Sequence, residues 1–221
     1  MRMFQQHLNG RLIIFFILGL ILNASGNALT VALNLGSPVW TAACVNVAHA
    51  LHISLGFIMI YWGVALVITT ILITRKIQGW RTFKNVIFMV LFAALVNWLS
   101  KWFEHTSLMT LPIIMRVFLD FSGIVLIAAG VSLYQRVNWM LHPCDDLMQI
   151  VRFKFFEGNA NRAMLAVYLP AVIITLLCVW LTHRLWAVNI GTIFALIFQG
   201  WLIGVADRRL FRQLKHRGFD D

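Results

Sequence analysis

The chain has 221 residues, of which 61% are apolar and 12% are charged, and its mean hydropathy is +0.83. This composition excludes an ordinary soluble domain, in which about 25% of residues are charged. The formal net charge of +10 does not indicate a nucleic-acid-binding protein, because the cationic residues lie between apolar runs, where membrane proteins place them.

Six apolar runs are each long enough to cross a bilayer, which takes about 20 residues of α-helix. The first run begins like a cleavable signal peptide, but its apolar character continues through Leu35, which is too long for a signal sequence. We therefore predict an all-α, polytopic membrane protein with a single membrane domain over residues 1–221. Its six transmembrane helices are predicted at residues 12–34, 54–74, 86–103, 111–135, 163–182 and 186–206.

The cationic residues predict the orientation of these spans. If both termini face the cytoplasm, fifteen of the 18 lysines and arginines fall on the cytoplasmic side, as the positive-inside rule requires. We expect a multi-pass protein of the plasma membrane with a basic cytoplasmic tail at residues 207–221. The fifteen residues are Arg2, Arg11, Arg75, Lys76, Arg81, Lys84, Arg136, Arg152, Lys154, Arg162, Arg208, Arg209, Arg212, Lys215 and Arg217.

Three further expectations follow from this topology. Trp40 is assigned to the aromatic belt at the outer surface. Cys44 and Cys144 are placed on opposite faces of the membrane, where they cannot form a disulfide bond. Asp207, at the inner end of the last span, is expected to pair with its neighbour Arg208 or Arg209.

A weak, gap-free internal match relates the two halves of the chain. A shift of 104 residues aligns Gly19 with Gly123 and Gly26 with Gly130. Three crossings separate the matched spans, so the halves would run in opposite directions and form an inverted-topology repeat. The glycines fall on one helical stripe and predict close packing of spans one and four, whereas glycines merely tolerated in lipid are the alternative. The two three-helix repeats are predicted at residues 12–103 and 111–206.

Each half carries the same interruption after its first span. Thr41 follows Asn34 by seven residues, with Pro38 between them, and Asp145 follows Asn138 by the same interval. Thr and Asp are both favourable N-cap residues, so we predict short helices at residues 41–52 and 145–156. Paired breaks in equivalent places indicate a binding site in a transporter. Interfacial elbow helices that only reverse the chain are the alternative.

These segments carry a family resemblance. They resemble the half-repeat motifs of the bacterial YitT/YczE/YyaS-type integral membrane proteins, although Thr41 stands in place of an aspartate and His142 in place of a glycine. The resemblance supports the fold far more than the substrate, and it implies little about activity beyond the description of these proteins as membrane transporters. The matching pieces are Asn34-Leu35-Gly36 with Trp40-Thr41, Gly130-Val131-Ser132-Leu133-Tyr134, and Pro143-Cys144-Asp145-Asp146-Leu147-Met148.

Polar side chains within the first span form one helical face. Asn23, Asn27, Thr30 and Asn34 follow each other at steps of four, three and four residues, which aligns them on a helix. They either line a hydrated path or form hydrogen bonds to neighbouring helices.

Span four carries a charged pair, Arg116 and Asp120, spaced by four residues. An intramembrane charge is retained for a reason. The pair is either a local neutralising pair or a functional one, with Arg116 attracting an anionic solute or Asp120 handling a cation or a proton. The predicted substrate-binding residues are Asn23, Asn27, Thr30, Asn34, Arg116, Asp120, Asn138 and Asp145.

The sequence favours a transporter or channel for a small solute, with a site between the two repeats near the breaks. The alternative is a non-transporting accessory or regulatory membrane protein that acts through a partner. No catalytic motif is present, so we expect no enzyme activity, cofactor or metal site. The expected partners are the lipid bilayer and a small-molecule solute, without nucleic acid. A homo-oligomer or a protein partner stays open.

Overall fold

A computed structural model describes residues 9–77 and 79–217. Arg2 and the last four residues of the predicted tail, 218–221, lie outside the described residues. The described chain is built from eight α-helices and a single 3₁₀ turn over Ser107–Thr110. The helices are α1 (Gly10–Leu33), α2 (Val39–Leu51), α3 (Leu55–Thr74), α4 (Gly79–Glu104), α5 (Ile113–Val137), α6 (Pro143–Phe155), α7 (Ala160–Thr182) and α8 (Ile190–Arg209).

Six of these helices, all except α2 and α6, are long and apolar enough to cross a membrane. The prediction of an all-α, multi-pass membrane protein with six spans is therefore confirmed. The largest boundary difference is in α4, which begins at Gly79 rather than at residue 86. Its first two turns carry the polar residues Arg81 and Asn85, so a search for apolar runs does not include them in the span. Both residues bind Asp146 of α6, and this contact places polar residues within the helix.

The two short helices begin earlier than expected. Their N-caps are Pro38 and His142, so the N-cap assignment of Thr41 and Asp145 is wrong. Both residues lie in the third helical position, where their side chains are free to contact other helices. A proline accounts for each earlier start, because it cannot continue the preceding segment as helix and is favourable at or near a helix N-terminus.

α1 and α5 form the centre of the molecule and run antiparallel. Gly19 of α1 faces Gly130 of α5, and Gly26 faces Gly123: a methyl group on Gly19 would lie 2.9 Å from the Gly130 carbonyl oxygen. The glycines therefore allow the two backbones to touch, as the small-residue stripe predicts. α4 packs on α1, and α8 packs on α5.

The short helices pack on both halves of the chain. α2 packs against α7 and α3, and α6 packs against the same two helices. Each short helix is thus held by helices before and after the midpoint of the chain. This packing brings the first turns of α2 and α6 close together, and the candidate site lies there.

The segment after α8 folds back onto the end of α5. Arg136, only 1% exposed, donates to the carbonyl oxygens of Leu210 (2.8 Å) and Leu214 (3.1 Å). Asp207 accepts a hydrogen bond from Ser132 (2.7 Å) and lies 3.5 Å from Arg136 and 3.1 Å from His216. The expected pairing of Asp207 with Arg208 or Arg209 is therefore wrong, because the folded tail brings other partners to it.

Candidate functional site

A chain of buried hydrogen bonds begins at the first turn of α2. The Thr41 hydroxyl donates to Oδ1 of Asn27 at 2.8 Å. Nδ2 of Asn27 donates in turn to Oδ1 of Asn23 at 2.8 Å. All three side chains are buried. The polar face of α1 therefore points into the protein, toward the start of α2.

The same chain continues into the second half of the molecule. Nδ2 of Asn23 donates to the Tyr134 hydroxyl of α5 at 3.0 Å. The Tyr134 hydroxyl donates to the Asp145 carboxylate in the first turn of α6. We call the five residues Thr41, Asn27, Asn23, Tyr134 and Asp145 the central relay. It connects the two short helices through α1 and α5, and it joins the two positions that follow the breaks at the same interval.

Burial changes the pKa of Asp145, the residue at the α6 end of the central relay. Asp145 lies outside the six spanning helices, and burial raises the pKa of its carboxyl to about 7, although the hydrogen bond from Tyr134 acts in the opposite direction. Its charge therefore changes close to neutral pH. The hydrogen bond from Tyr134 that closes the relay at α6 is stronger to the charged carboxylate than to the neutral carboxyl group.

The structure brings together three of the eight predicted site residues: Asn23, Asn27 and Asp145. Thr30 instead donates to the carbonyl oxygen of Asn27 in its own helix, at 2.9 Å. Asn34 and Asn138 end α1 and α5 as C-caps with positive φ values of 50° and 49°. Asparagine is tolerated in this left-handed conformation, so the backbone accounts for both asparagines at the breaks.

Arg116 and Asp120 do not form an ion pair in the described part of the chain. Nη2 of Arg116 donates to the carbonyl oxygen of Leu33, at the C-terminal end of α1, at 2.7 Å. Asp120 is fully buried and lies next to Gly191 at the start of α8. The local neutralising pair is therefore absent. The reason is that the last carbonyl groups of α1 have no partner within the helix, and a cation near a helix C-terminus is stabilising. Arg116 therefore binds the Leu33 carbonyl instead of Asp120.

A second polar cluster, which sequence reasoning did not identify, fixes α6. Asp146 accepts hydrogen bonds from Arg81 and from Nδ2 of Asn85 (2.6 Å), and Oδ1 of Asn85 accepts one from the Leu141 backbone N–H (3.1 Å). The cluster holds the break before α6 against α4. The available signal was the adjacent pair Asp145-Asp146, whose two carboxylates turn to different helices.

A cavity of about 300 Å³ lies beside the central relay, between α2, α3, α6 and α7. We call it the lateral cavity. It reaches the lipid-facing surface, because the lining residues Ala65, Thr69, Ala166 and Pro170 are exposed. The remaining lining is Trp40, Trp62, Leu66, Ile73, Leu147, Val151 and Val167.

Two tryptophans give the lateral cavity its polar groups. The Trp40 and Trp62 rings lie 5.1 Å apart, centroid to centroid. The indole N–H of Trp62 has no hydrogen-bond partner among the residues described, whereas that of Trp40 lies within reach of the Cys144 sulfur. Trp62 lies within one turn of the middle of α3, which is far from the headgroups of a bilayer. The cavity thus combines apolar walls with one free donor.

The meeting of the short helices corrects two expectations. Trp40 does not lie in an outer belt, because it shares the lateral cavity with Leu147 and Val151 of α6. Cys44 and Cys144 do not lie on opposite faces of the membrane, because Cys144 is close to Trp40 and near enough to Cys44 to interact electrostatically. Both thiols are free. The topology argument placed each short helix at its own interface, whereas their first turns reach into the protein.

The family follows from comparison with protein-family models. Residues 10–208 match DUF6198, a family of unknown function. The chain belongs to this family. Comparison with curated proteins and with solved structures gives no significant match. The match covers five spans in full and the sixth up to Arg208, and it includes both short helices and every residue of the central relay.

Proposed function

We propose that this DUF6198 member is a transporter or channel for a small solute, built from two inverted-topology repeats. In the plasma membrane both of its termini would face the cytoplasm. The antiparallel course of α1 and α5 supports the repeat. The contacts of the glycines also support it. Gly19 corresponds to Gly123 and Gly130 to Gly26 at a shift of 104 residues, so the contact of Gly19 with Gly130 has as its equivalent the second observed contact, of Gly123 with Gly26. The resemblance to the YitT/YczE/YyaS-type proteins fits the same proposal.

The observation that carries the proposal is the central relay. It joins equivalent positions of the two halves, Thr41 and Asp145, through side chains buried between helices. A rocking motion of one half against the other, which inverted repeats use for alternating access, would have to break and re-form these hydrogen bonds. Each is worth about 0.6 kcal/mol in membrane proteins. Bonds this weak can stabilise a closed state and still break when the two halves move.

The lateral cavity would hold the solute. A volume of about 300 Å³ is at the lower end of the range for small-molecule sites. Its apolar walls favour a weakly polar solute, and the free indole N–H of Trp62 favours one that carries a hydrogen-bond acceptor. A lipid acyl chain would fill the space without an acceptor for this donor.

Liposome reconstitution tests this proposal. The purified protein is assayed for flux of labelled ions, amino acids and small apolar solutes that bear a carbonyl group. We expect a solute of the last class to move. We also expect Asn27→Leu to abolish the flux without reducing the amount of folded protein, since Asn27 bonds to both Thr41 and Asn23.

Asn97→Leu is the matched control, because Asn97 lies in the span α4 and has no side-chain hydrogen bond in the described structure. It should leave the flux unchanged. If no solute moves and the purified protein carries a stoichiometric partner, transport is wrong and the accessory function is favoured. If Asn27→Leu removes the protein altogether, the relay is structural only.

A further inference from the structure

Asp120 of α5 is a buried acid whose surroundings the central relay does not explain. Its side chain is 0% exposed, and neither carboxylate oxygen has a hydrogen-bond partner among the described residues. An ionised carboxylate without partners is strongly disfavoured in the low dielectric of a membrane protein interior. A proton or a cation must therefore compensate it.

The start of α8 does not supply the missing donors. Gly191 lies against the Asp120 carboxylate, yet the free N–H groups of this turn are already used. The Ile190 N–H donates to Oδ1 of Asn189 at 2.8 Å, and the Gly191 N–H donates to the Leu35 carbonyl oxygen at 3.0 Å. The Thr192 N–H donates to the Asn189 carbonyl oxygen at 3.0 Å. Asp120 thus faces a helix N-terminus that has no donor left for it.

No cationic side chain compensates Asp120 either. Arg116, one turn earlier on α5, donates to Leu33. The facing elements, namely the break at residues 34–38 and residues 190–206 of α8, contain no ionisable residue. His183 and Arg184, which precede α8, are exposed. Among the described residues, no cation therefore forms an ion pair with the carboxyl group.

An acceptor lies next to Asp120 instead of a donor. A methyl group built on Gly191 would overlap Oδ2 of Asp120 and would lie 2.6 Å from the carbonyl oxygen of Gly36. Both oxygens therefore approach the same point. Gly36 belongs to the break between α1 and α2, with φ of 124°, and its carbonyl oxygen accepts no hydrogen bond in the described structure. The Asp120 and Gly36 oxygens are both hydrogen-bond acceptors without a donor in the described part of the chain. One hydrogen atom on the carboxyl group would serve both.

We propose that Asp120 is a proton-binding site, whose neutral carboxyl donates a hydrogen bond to the Gly36 carbonyl and holds the α1–α2 break against α5 and α8. A proton is favoured over a metal ion, because hard cations take six or more oxygen ligands. Here the neighbouring carbonyls of Leu35 and Ser37 are occupied by Gly191 and Thr192.

The site has a consequence for transport, which rests on the function proposed above. Loss of the proton would leave a charge facing the Gly36 carbonyl and would release the break that begins α2. Because α2 carries Thr41 of the central relay, protonation of Asp120 would then favour the closed arrangement. Solute movement would be coupled to proton movement.

Infrared spectroscopy of the reconstituted protein tests the proton directly, independently of any transport assay. At mildly alkaline pH, we expect the carbonyl-stretch band of a protonated carboxyl group that shifts in heavy water. The band should be absent in Asp120→Asn and retained in the control Asp145→Asn. A band that persists in Asp120→Asn, or that is missing from the wild type, overturns the proposal. A band that appears only when sodium is replaced by a large organic cation also overturns it, in favour of a cation site.

Stability measurements separate the proton from its hydrogen bond. The amide of Asp120→Asn can still donate to Gly36, whereas Asp120→Leu cannot, so Asp120→Asn should melt at a higher temperature than Asp120→Leu. Equal melting temperatures would refute the contact with Gly36. If Asp120→Asn does not fold, the carboxyl band is followed in the wild type with carbon-13-labelled aspartate. Absence of a protonated aspartate at mildly alkaline pH then refutes the site.

Discussion

The glycine contact between α1 and α5 allows a quantitative prediction. In Gly26→Ala, the added methyl group would overlap the Gly123 carbonyl oxygen and would lie 2.7 Å from Cγ1 of Ile127 and 3.0 Å from its backbone nitrogen. Two of these three atoms belong to the backbone of α5, so neither can move by changing a rotamer. The helices themselves have to separate, which also strains the other close contact, between Gly19 and Gly130.

Overpacking of this kind costs about 1–3 kcal/mol. Alanine gains about 1 kcal/mol over glycine from helix propensity, so we expect a net loss of up to about 2 kcal/mol in the free energy of unfolding. The measurement is denaturant unfolding in detergent, followed by tryptophan fluorescence. Gly204→Ala is the matched control: Gly204 lies in a span, and a methyl group there would meet no atom within 4 Å. It should be neutral or stabilised.

Gly63→Ala sharpens the test, because the methyl group would overlap the Met89 side chain instead of backbone. Methionine is flexible and can move aside, so Gly63→Ala should lose less stability than Gly26→Ala. If all three variants shift stability equally, the glycines are only tolerated and the backbone contact is not needed. A loss in Gly204→Ala as large as that in Gly26→Ala would refute the reasoning in the same way.

The remaining predictions concern the central relay and the lateral cavity. Tyr134→Phe removes the hydroxyl between Asn23 and Asp145 and should lower the free energy of unfolding by about 1 kcal/mol for the two lost hydrogen bonds, whereas an unchanged unfolding midpoint would show that the relay contributes nothing. Because burial raises the pKa of Asp145 to about 7, its proton binds more tightly in the folded than in the unfolded protein, so its contribution to stability is complete below about pH 4 and is lost as the pH rises through about 7. Asp145→Asn should remove this part of the pH dependence of the melting temperature, and a pH profile identical to the wild type would contradict the assignment. Trp62→Phe keeps an aromatic ring but removes the indole N–H, so flux of a carbonyl-bearing solute should fall while the free energy of unfolding stays within about 1 kcal/mol of the wild type; undiminished flux would exclude the indole from the site.

Features that depend on neighbours along the chain could be predicted from the sequence. The six spans follow from runs of apolar residues, and the breaks follow from Asn34 and Asn138, whose residue type tolerates the left-handed conformation at a helix end. The glycine stripe predicted which surfaces of α1 and α5 touch, since lipid offers no hydrophobic drive and close packing needs small residues.

Partners from distant segments could not be predicted. The sequence shows Arg136 as one more basic residue beside a span, but the tail folds over it and supplies three carbonyl acceptors. Arg116 and Asp120 share the spacing of a helical ion pair, yet the Leu33 carbonyl of α1 binds Arg116 and Asp120 is left without a partner among the described residues. The spacing of residues within one helix shows which contacts a polar side chain could make. The packing of the other helices decides which of these contacts forms.

The central relay illustrates the same limit for function. Aligned asparagines in a span predict either a hydrated path or hydrogen bonds between helices, and the structure gives Asn23 and Asn27 side-chain partners at both ends of the relay. In this arrangement the two interpretations are not exclusive. A path between two halves has to be closed by contacts in one state, and bonds worth about 0.6 kcal/mol each can hold that state and still exchange. An inert structural network would instead keep its hydrogen bonds in every state, so trapping the protein with a bound solute while following the Tyr134 hydroxyl distinguishes the two.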